Sequence, residues 1–256
     1  MEDLFSIAGK TALVTGGSRG IGLMIARGYV RAGARVYISS RKADVCAEAA
    51  ETLGREGTCV ALPADLGRMS EVERLAGELA AREERLDILV NNAGATWGGK
   101  VDSFPEAGWD KVMNLNVKAV FFLTQKLLPL LERAASREQP ARVINVGSVD
   151  GMHTSLFDNF SYGPSKAAVH HLTRVLSAHL APRHITVNAI APGPFATDMM
   201  APMLATMGDT IVNHVPLKRM GQDDDAAGIA IFLASRASAY ITGTVIPVDG
   251  GIMGAA

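Results

Sequence analysis

Cysteine is scarce in this chain of 256 residues: there are two, Cys46 and Cys59. They have no metal-ligand spacing and are too few for a secreted disulfide framework, so two reduced thiols and no metal site are expected. Positive charge is not in excess. Lys and Arg number 25 against 26 Asp and Glu, for a formal net charge of -1, which argues against a nucleic-acid partner. Long apolar runs are missing as well. None approaches the ~20 residues that a membrane-spanning helix needs, so no membrane partner is expected. Residues 1–10 begin Met-Glu-Asp and have neither the basic nor the apolar region of a secretory leader, and a cytoplasmic protein is the expectation. No linker rich in Pro, Gly or Ser, no repeat and no low-complexity tract interrupts the chain, so a single domain over 1–256 is expected.

The composition is 48% hydrophobic and 20% charged, enough apolar material for a sizeable core. Short β-branched apolar runs at 11–15, 35–39, 59–62, 87–91, 142–147, 185–191 and 244–248 read as strands buried on both faces. Helix-period stretches at 21–32, 43–55, 71–84, 108–134, 162–180 and 224–235 lie between them. Unbroken alternation of the two predicts an α/β fold, a doubly wound Rossmann-type parallel sheet with helices on both faces.

The first strand runs into Thr15-Gly16-Gly17-Ser18-Arg19-Gly20-Ile21-Gly22, where a helix starts. Glycines there let the backbone turn sharply and approach a pyrophosphate, and the helix N-terminus offers free N–H groups to it. The spacing from Gly16 to Gly20 to Gly22 departs from the usual Gly-x-Gly-x-x-Gly, and its position between strand and helix carries the reading. At the end of the second strand stand Ser39-Ser40-Arg41-Lys42, with no carboxylate before Asp44. A dinucleotide with a free ribose would call for an acid there. Arg41 and Lys42, with Arg19 closing from the glycine loop, suit a 2′-phosphate instead, which points to NADP(H). The alternative is that Arg41 and Lys42 only open a solvated helix.

Tyr162 and Lys166 are four apart at the start of a helical stretch, on one face. An ammonium beside a phenol favours the phenolate, so Lys166 is expected to lower the pKa of Tyr162 and make it a usable proton donor and acceptor. Ser148 follows the strand at 142–147, at the sheet end where open α/β folds bind ligands, and can hydrogen-bond a substrate oxygen as charge develops. Asn116 lies inside the predicted helix 108–134, where a buried amide is awkward. It could hold a water linking Lys166 to solvent, or bend the helix from the core. Asn91-Asn92-Ala93-Gly94 ends the fourth strand and would pass beneath the cofactor, or form a plain turn.

Taken in order, the Gly16–Gly22 loop, Asp65, Asn91–Gly94, Asn116, Ser148, Tyr162, Ser165, Lys166, Pro192-Gly193 and Asp249-Gly250-Gly251 resemble the short-chain dehydrogenase/reductase family. The resemblance spans residues 10–251 and looks most like the 3-oxoacyl reductases, including those linked to rhamnolipid precursors. It implies a seven-stranded sheet, matching the seven runs above, and a catalytic set of Asn116, Ser148, Tyr162 and Lys166. It further implies that Lys166 holds the nicotinamide ribose, that Asp65 meets adenine with Leu66 beside it, and that Asn92, Ala93 and Gly94 lie under the adenine ribose. Ile190, Pro192, Gly193 and Thr197 would hold the nicotinamide amide. The expected reaction is reduction of a ketone, a 3-oxoacyl thioester or related carbonyl compound, to a secondary alcohol.

Two segments depart from that pattern. Residues 149–161, with Asp150, His153, Phe157, Asp158 and Phe160, are expected to line the substrate cleft. Residues 194–221, with Met199, Met200, Met203, Met207 and Met220, read as a substrate lid or as an irregular connection. His153 is expected on the cleft wall, His170 and His171 in packing or an interface, and Trp97 in packing or against substrate. Leu127, Leu128, Leu130 and Leu131 cover much of one helix, an excess that a self-complementary interface would hide; the resemblance implies a homotetramer. Alternatives from other classes are a broad alcohol or carbonyl dehydrogenase of a small ketone, diketone or polyol with NAD, an isomerase or dehydratase, and a non-catalytic NADPH sensor.

Overall fold

The structure, a computed structural model, describes residues 2–155 and 157–255; Leu156, inside the expected cleft segment, lies outside the described residues with Met1 and Ala256. In chain order the elements are α1 (Glu2–Phe5), β1 (Thr11–Thr15), α2 (Gly20–Arg31), β2 (Arg35–Ser39), α3 (Ala43–Gly54), β3 (Cys59–Ala61), α4 (Met69–Arg82) and β4 (Ile88–Asn91). There follow α5 (Glu106–Met113), α6 (Ala119–Ala134), β5 (Ala141–Val146), α7 (Tyr162–Leu180), β6 (Ile185–Pro192), α8 (Ala201–His214), α9 (Asp223–Ala234) and β7 (Val245–Val248).

All seven strands pair in parallel in the order β3-β2-β1-β4-β5-β6-β7. Successive side chains of a strand point to opposite faces, and the core divides accordingly. Ala12, Val14, Ile38, Val90 and Ile144 pack with Ile25, Tyr29, Leu53 and Leu233 of α2, α3 and α9. Leu13, Tyr37, Leu89, Val143 and Val187 pack on the other face with Leu75, Leu79, Leu123, Leu127 and Leu176 of α4, α6 and α7. Because β1 is flanked by β2 and β4, chain connections leave in opposite directions from the gap between β1 and β4. A crevice opens there at the carboxyl ends of the strands, and every candidate residue follows one of those ends.

Three expectations need correction. The predicted helix 108–134 is broken: α5 ends at Met113, and a π-helical turn, Asn114–Lys118, precedes α6. Residues 194–221 hold an unforeseen helix, α8, kinked at Met207, and the segment is tied at its base by a bridge between Phe195 and Gly221. Of the four leucines on α6, Leu127, Leu130 and Leu131 are buried within the chain at 2% exposure or less, and Leu128 is partly buried against the same core, so most of that excess does not by itself call for a partner surface.

Candidate active site

The glycine loop is shaped by contacts that a side chain would destroy. Gly16 and Gly20 have φ of +66° and +53°, a region that favours glycine. A Cβ on Gly22 would lie 2.3 Å from both Asn92 Nδ2 and the Gly16 carbonyl oxygen. Asn92 donates from Nδ2 to the Thr15 carbonyl at 2.9 Å, and the backbone N–H groups of Asn92 and Ala93 donate to Thr15 Oγ1 at 2.9 and 3.0 Å. These bonds strap the end of β4 to the end of β1. Thr15 was not foreseen as part of the site; a hydroxyl at the last position of an apolar strand was the signal.

The first turn of α2 has no side-chain cap and no acidic residue. Its free N–H groups face the loop, as a bound pyrophosphate requires. Arg41 and Lys42 are exposed after β2 and have no ion-pair partner among the described residues. Arg19, the residue preceding α2, is instead 3.6 Å from Asp198, and both side chains are largely exposed. An uncapped helix, glycines that leave no room for a Cβ, and two exposed cations after β2 fit a phosphorylated dinucleotide.

The other expected cofactor contacts fall around the same crevice. Ser40 and Asp65 are partly buried beside each other, through a bond from the Ala64 N–H to the Ser40 carbonyl. Leu66 turns its side chain into the core, which leaves only its backbone for adenine. Pro192 and Gly193 close β6, and a Cβ on Gly20 would sit 3.3 Å from Thr197 Cγ2, so the start of the 194–221 segment meets the glycine loop. Ser18 and Ile21 line that loop, and Ile21 also packs on the core.

Asn116, Ser148, Tyr162 and Lys166 are brought together at the ends of β4 and β5. Asn116 is 1% exposed within the π-helical turn. Its Oδ1 accepts from the Ala95 N–H at 2.8 Å, and Nδ2 donates to the Ala95 carbonyl at 3.0 Å and to Ser165 Oγ at 2.9 Å. The amide therefore clamps the strand leaving Gly94 to the first turns of α7. A Cβ on Gly94 would be 3.4 Å from Asn116 Oδ1 and 3.6 Å from Lys166 Nζ. Lys166 is buried, donates to the Val146 carbonyl at 2.8 Å, and stands 5.6 Å from the Tyr162 ring centroid. Burial lowers its pKa to about 8.

The expectation that Lys166 lowers the pKa of Tyr162 does not hold in this structure. Burial pushes the phenol up to about 12; a hydrogen bond with Ser148 pulls the other way, and the charge of Asp150 adds to the rise. Desolvation is the largest cause, and the Lys166 ammonium is engaged with the Val146 carbonyl oxygen. The phenol is consequently protonated at neutral pH, the form that donates.

Ser148 lies at the end of β5, and its Oγ accepts from the Asp150 N–H at 3.2 Å. Behind it, His170 Nε2 accepts from the Ser148 N–H at 3.4 Å, and the ring also hydrogen-bonds the Gly151 backbone. His170 packs there as expected, but its bracing of Ser148 was not visible in the spacing. Asn145, also unforeseen, accepts from Asn91 Nδ2 at 2.9 Å and donates to Thr173 Oγ1 at 2.9 Å, joining β4, β5 and α7 in one buried network. His153 is on the cleft wall near Asp150. Trp97 packs over Gly108, with Lys111 Nζ 5.0 Å above its ring.

Comparison with known proteins places these features in company. A family model described as enoyl-(acyl carrier protein) reductase matches residues 16–253. The chain is 51% identical to the rhamnolipids biosynthesis 3-oxoacyl-[acyl-carrier-protein] reductase of Pseudomonas aeruginosa, over 98% of this chain and 99% of that one. It is 36% identical to the 2-dehydro-3-deoxy-D-gluconate 5-dehydrogenase of Bacillus subtilis, over 98% and 97%. Among solved structures, the Pseudomonas aeruginosa RhlG/NADP active-site complex superposes with a TM-score of 0.95 at 50% identity, covering 98% of this chain and 99% of that one.

Proposed function

The chain belongs to the short-chain dehydrogenase/reductase family, and from that premise we propose that it is an NADPH-dependent reductase of ketones whose substrate is a 3-oxoacyl thioester or a related carbonyl compound. The observation that carries the reading is the buried Tyr162 phenol, hydrogen-bonded to Ser148 beside a crevice shaped for a phosphorylated dinucleotide. When bound, the nicotinamide supplies a hydride for the carbonyl carbon.

The chain's own residues do the rest. The Tyr162 O–H gives its proton to the carbonyl oxygen as negative charge grows there. The Ser148 hydroxyl donates a second hydrogen bond to that oxygen, stronger in the transition state than in the ground state. Lys166 would hold the nicotinamide ribose and would offer a positive charge beside Tyr162. Asn116 keeps Gly94, Ser165 and hence the first turns of α7 in register. Arg41 and Lys42 would hold the 2′-phosphate, with Arg19, which faces Asp198 in this structure, as a third cation. Gly16, Ser18, Gly20, Ile21 and Gly22 would cradle the pyrophosphate, Ser40, Asp65, Leu66, Asn92, Ala93 and Gly94 would line the adenosine half, and Pro192, Gly193 and Thr197 the nicotinamide amide.

Residues 194–221 act as the lid of this single catalytic domain. None of the described side chains of α8 is fully buried, and both ends of the segment are pinned at Phe195 and Gly221, an arrangement that lets the middle move over a fixed base. The family resemblance supports a homotetramer, and the sparse cysteines support a cytoplasmic protein. A second reading, a dehydrogenase of polyols or sugar acids, draws on the named substrate of the Bacillus subtilis relative.

Consumption of NADPH, and separately of NADH, with acetoacetyl thioester and a panel of ketones, diketones and keto sugar acids decides between them. Fast NADPH-dependent turnover of the thioester is expected. Turnover of keto sugar acids alone would replace the oxoacyl reading with the second one, and no turnover with tight cofactor binding would refute both.

A further inference from the structure

One polar group beside Tyr162 has no part in the steps above. Asp150 lies two residues past Ser148, in the single 3-10 turn Val149–Gly151. That turn abuts the start of α7, where a Cβ on Gly163 would lie 3.0 Å from the Asp150 carbonyl oxygen. The carboxylate is 20% exposed, hydrogen-bonded by Ser155 and Asn159, with His153 Nε2 3.8 Å away. Three residues of the cleft wall thus converge to hold one acid in place beside the proton donor.

We propose that Asp150 is a specificity-determining carboxylate, which turns away substrates carrying a negative charge next to the reacting carbonyl and so selects neutral ketones and thioesters over keto acids of similar size. The inference rests on the reading of Tyr162 as the group that meets the carbonyl oxygen. The turn that carries Asp150 is bonded to Ser148 Oγ and packs against the start of α7, and two like charges in a partly desolvated cleft repel strongly. The charged groups facing Tyr162 do little to cancel that field. Lys166 is engaged with the Val146 carbonyl, and His170 is held neutral behind Ser148 by burial. On the loop that follows the turn, His153 is the nearest cation-capable group, and Asp158 adds a further negative charge. The influence of Asp150 on the phenol is a second sign that its field reaches the reacting atoms.

The test pairs ethyl acetoacetate with acetoacetate, each reduced by the full-length protein with NADPH, in wild type and in Asp150→Asn. The wild type should favour the ester by at least about tenfold in kcat/KM, mostly through KM. Asp150→Asn should shrink that ester-to-acid ratio about tenfold. Acidification should shrink the wild-type ratio too, as Asp150 takes up a proton, and leave the ratio of the variant less changed. A purely structural role would move both substrates in step and leave the ratio as it was; that result, or no change at all, overturns the proposal. Titration of the phenolate absorbance, with Tyr162→Phe as the blank, needs no substrate: Asp150→Asn should ionise Tyr162 at lower pH, and an unmoved titration also overturns it. A wild type that reduces neither compound refutes the ketone reading itself, and is seen before any substitution is made.

Discussion

Acid should destabilise this protein through His170. The ring is 4% exposed, accepts from the Ser148 N–H and hydrogen-bonds the Gly151 backbone. Burial, with Lys166 and Arg174 nearby, holds its pKa down at about 4 from an ordinary 6.5. Between those two values the unfolded chain binds a proton that the fold does not, so stability falls as the pH is lowered from about 6.5 and the loss is complete near about 4. At about 1.4 kcal/mol for each pH unit, the ceiling on that loss is about 3 kcal/mol, a large share of the ~5–15 kcal/mol that keeps a domain folded. Protonation of the folded ring removes the acceptor for the Ser148 N–H, so turnover should fail only as the pH approaches about 4. The assay is urea unfolding at several pH values for wild type and His170→Asn. The smaller side chain shifts the whole curve, and only the pH slope is compared. The wild type should lose up to about 3 kcal/mol more than the variant on acidification. Parallel curves would refute both the neutral ring and its bracing of Ser148.

Arg41→Asp should shift preference from NADPH toward NADH by about tenfold or more, since it replaces a 2′-phosphate ligand with an acid suited to a free ribose; an unchanged ratio of kcat/KM for the two cofactors would sink the assignment. Gly22→Ala puts a Cβ where 2.3 Å separates it from Asn92 Nδ2 and the Gly16 carbonyl oxygen. It should cost about 1–3 kcal/mol of stability and weaken NADPH binding as the strap between β1 and β4 gives way. Calorimetry showing wild-type affinity and unfolding temperature would contradict that account.

The fold was largely legible because both faces of each strand are apolar and each run is bounded by a turn or a helix-period stretch. Strand positions agree to within a residue at most ends, and the glycine loop lies where its spacing placed it. What the spacing hid was local. The π-helical turn at Asn114–Lys118 has no sequence signature that separates it from the helices on either side, yet it is what carries Asn116 toward Ala95 and Ser165. Helix α8 is hidden in a methionine-rich segment that reads as a lid or an irregular connection, although Pro is tolerated in a helix's first turn. The shift of Tyr162 was expected in the wrong direction: i,i+4 spacing shows that Lys166 is near but says nothing of how deeply both are buried. His170 braces Ser148 through a contact 22 residues back along the chain, which no pattern within α7 reveals.

The central claim is that Tyr162 donates the proton to a ketone reduced by NADPH. Tyr162→Phe keeps the ring and removes only the hydroxyl, so NADPH binding and turnover can be read from one preparation. NADPH affinity, followed by its fluorescence on binding, should stay within about threefold of wild type, while kcat for ketone reduction falls by about 10²–10⁴. Turnover near the wild-type rate in the phenylalanine variant, with NADPH still bound, would contradict the claim.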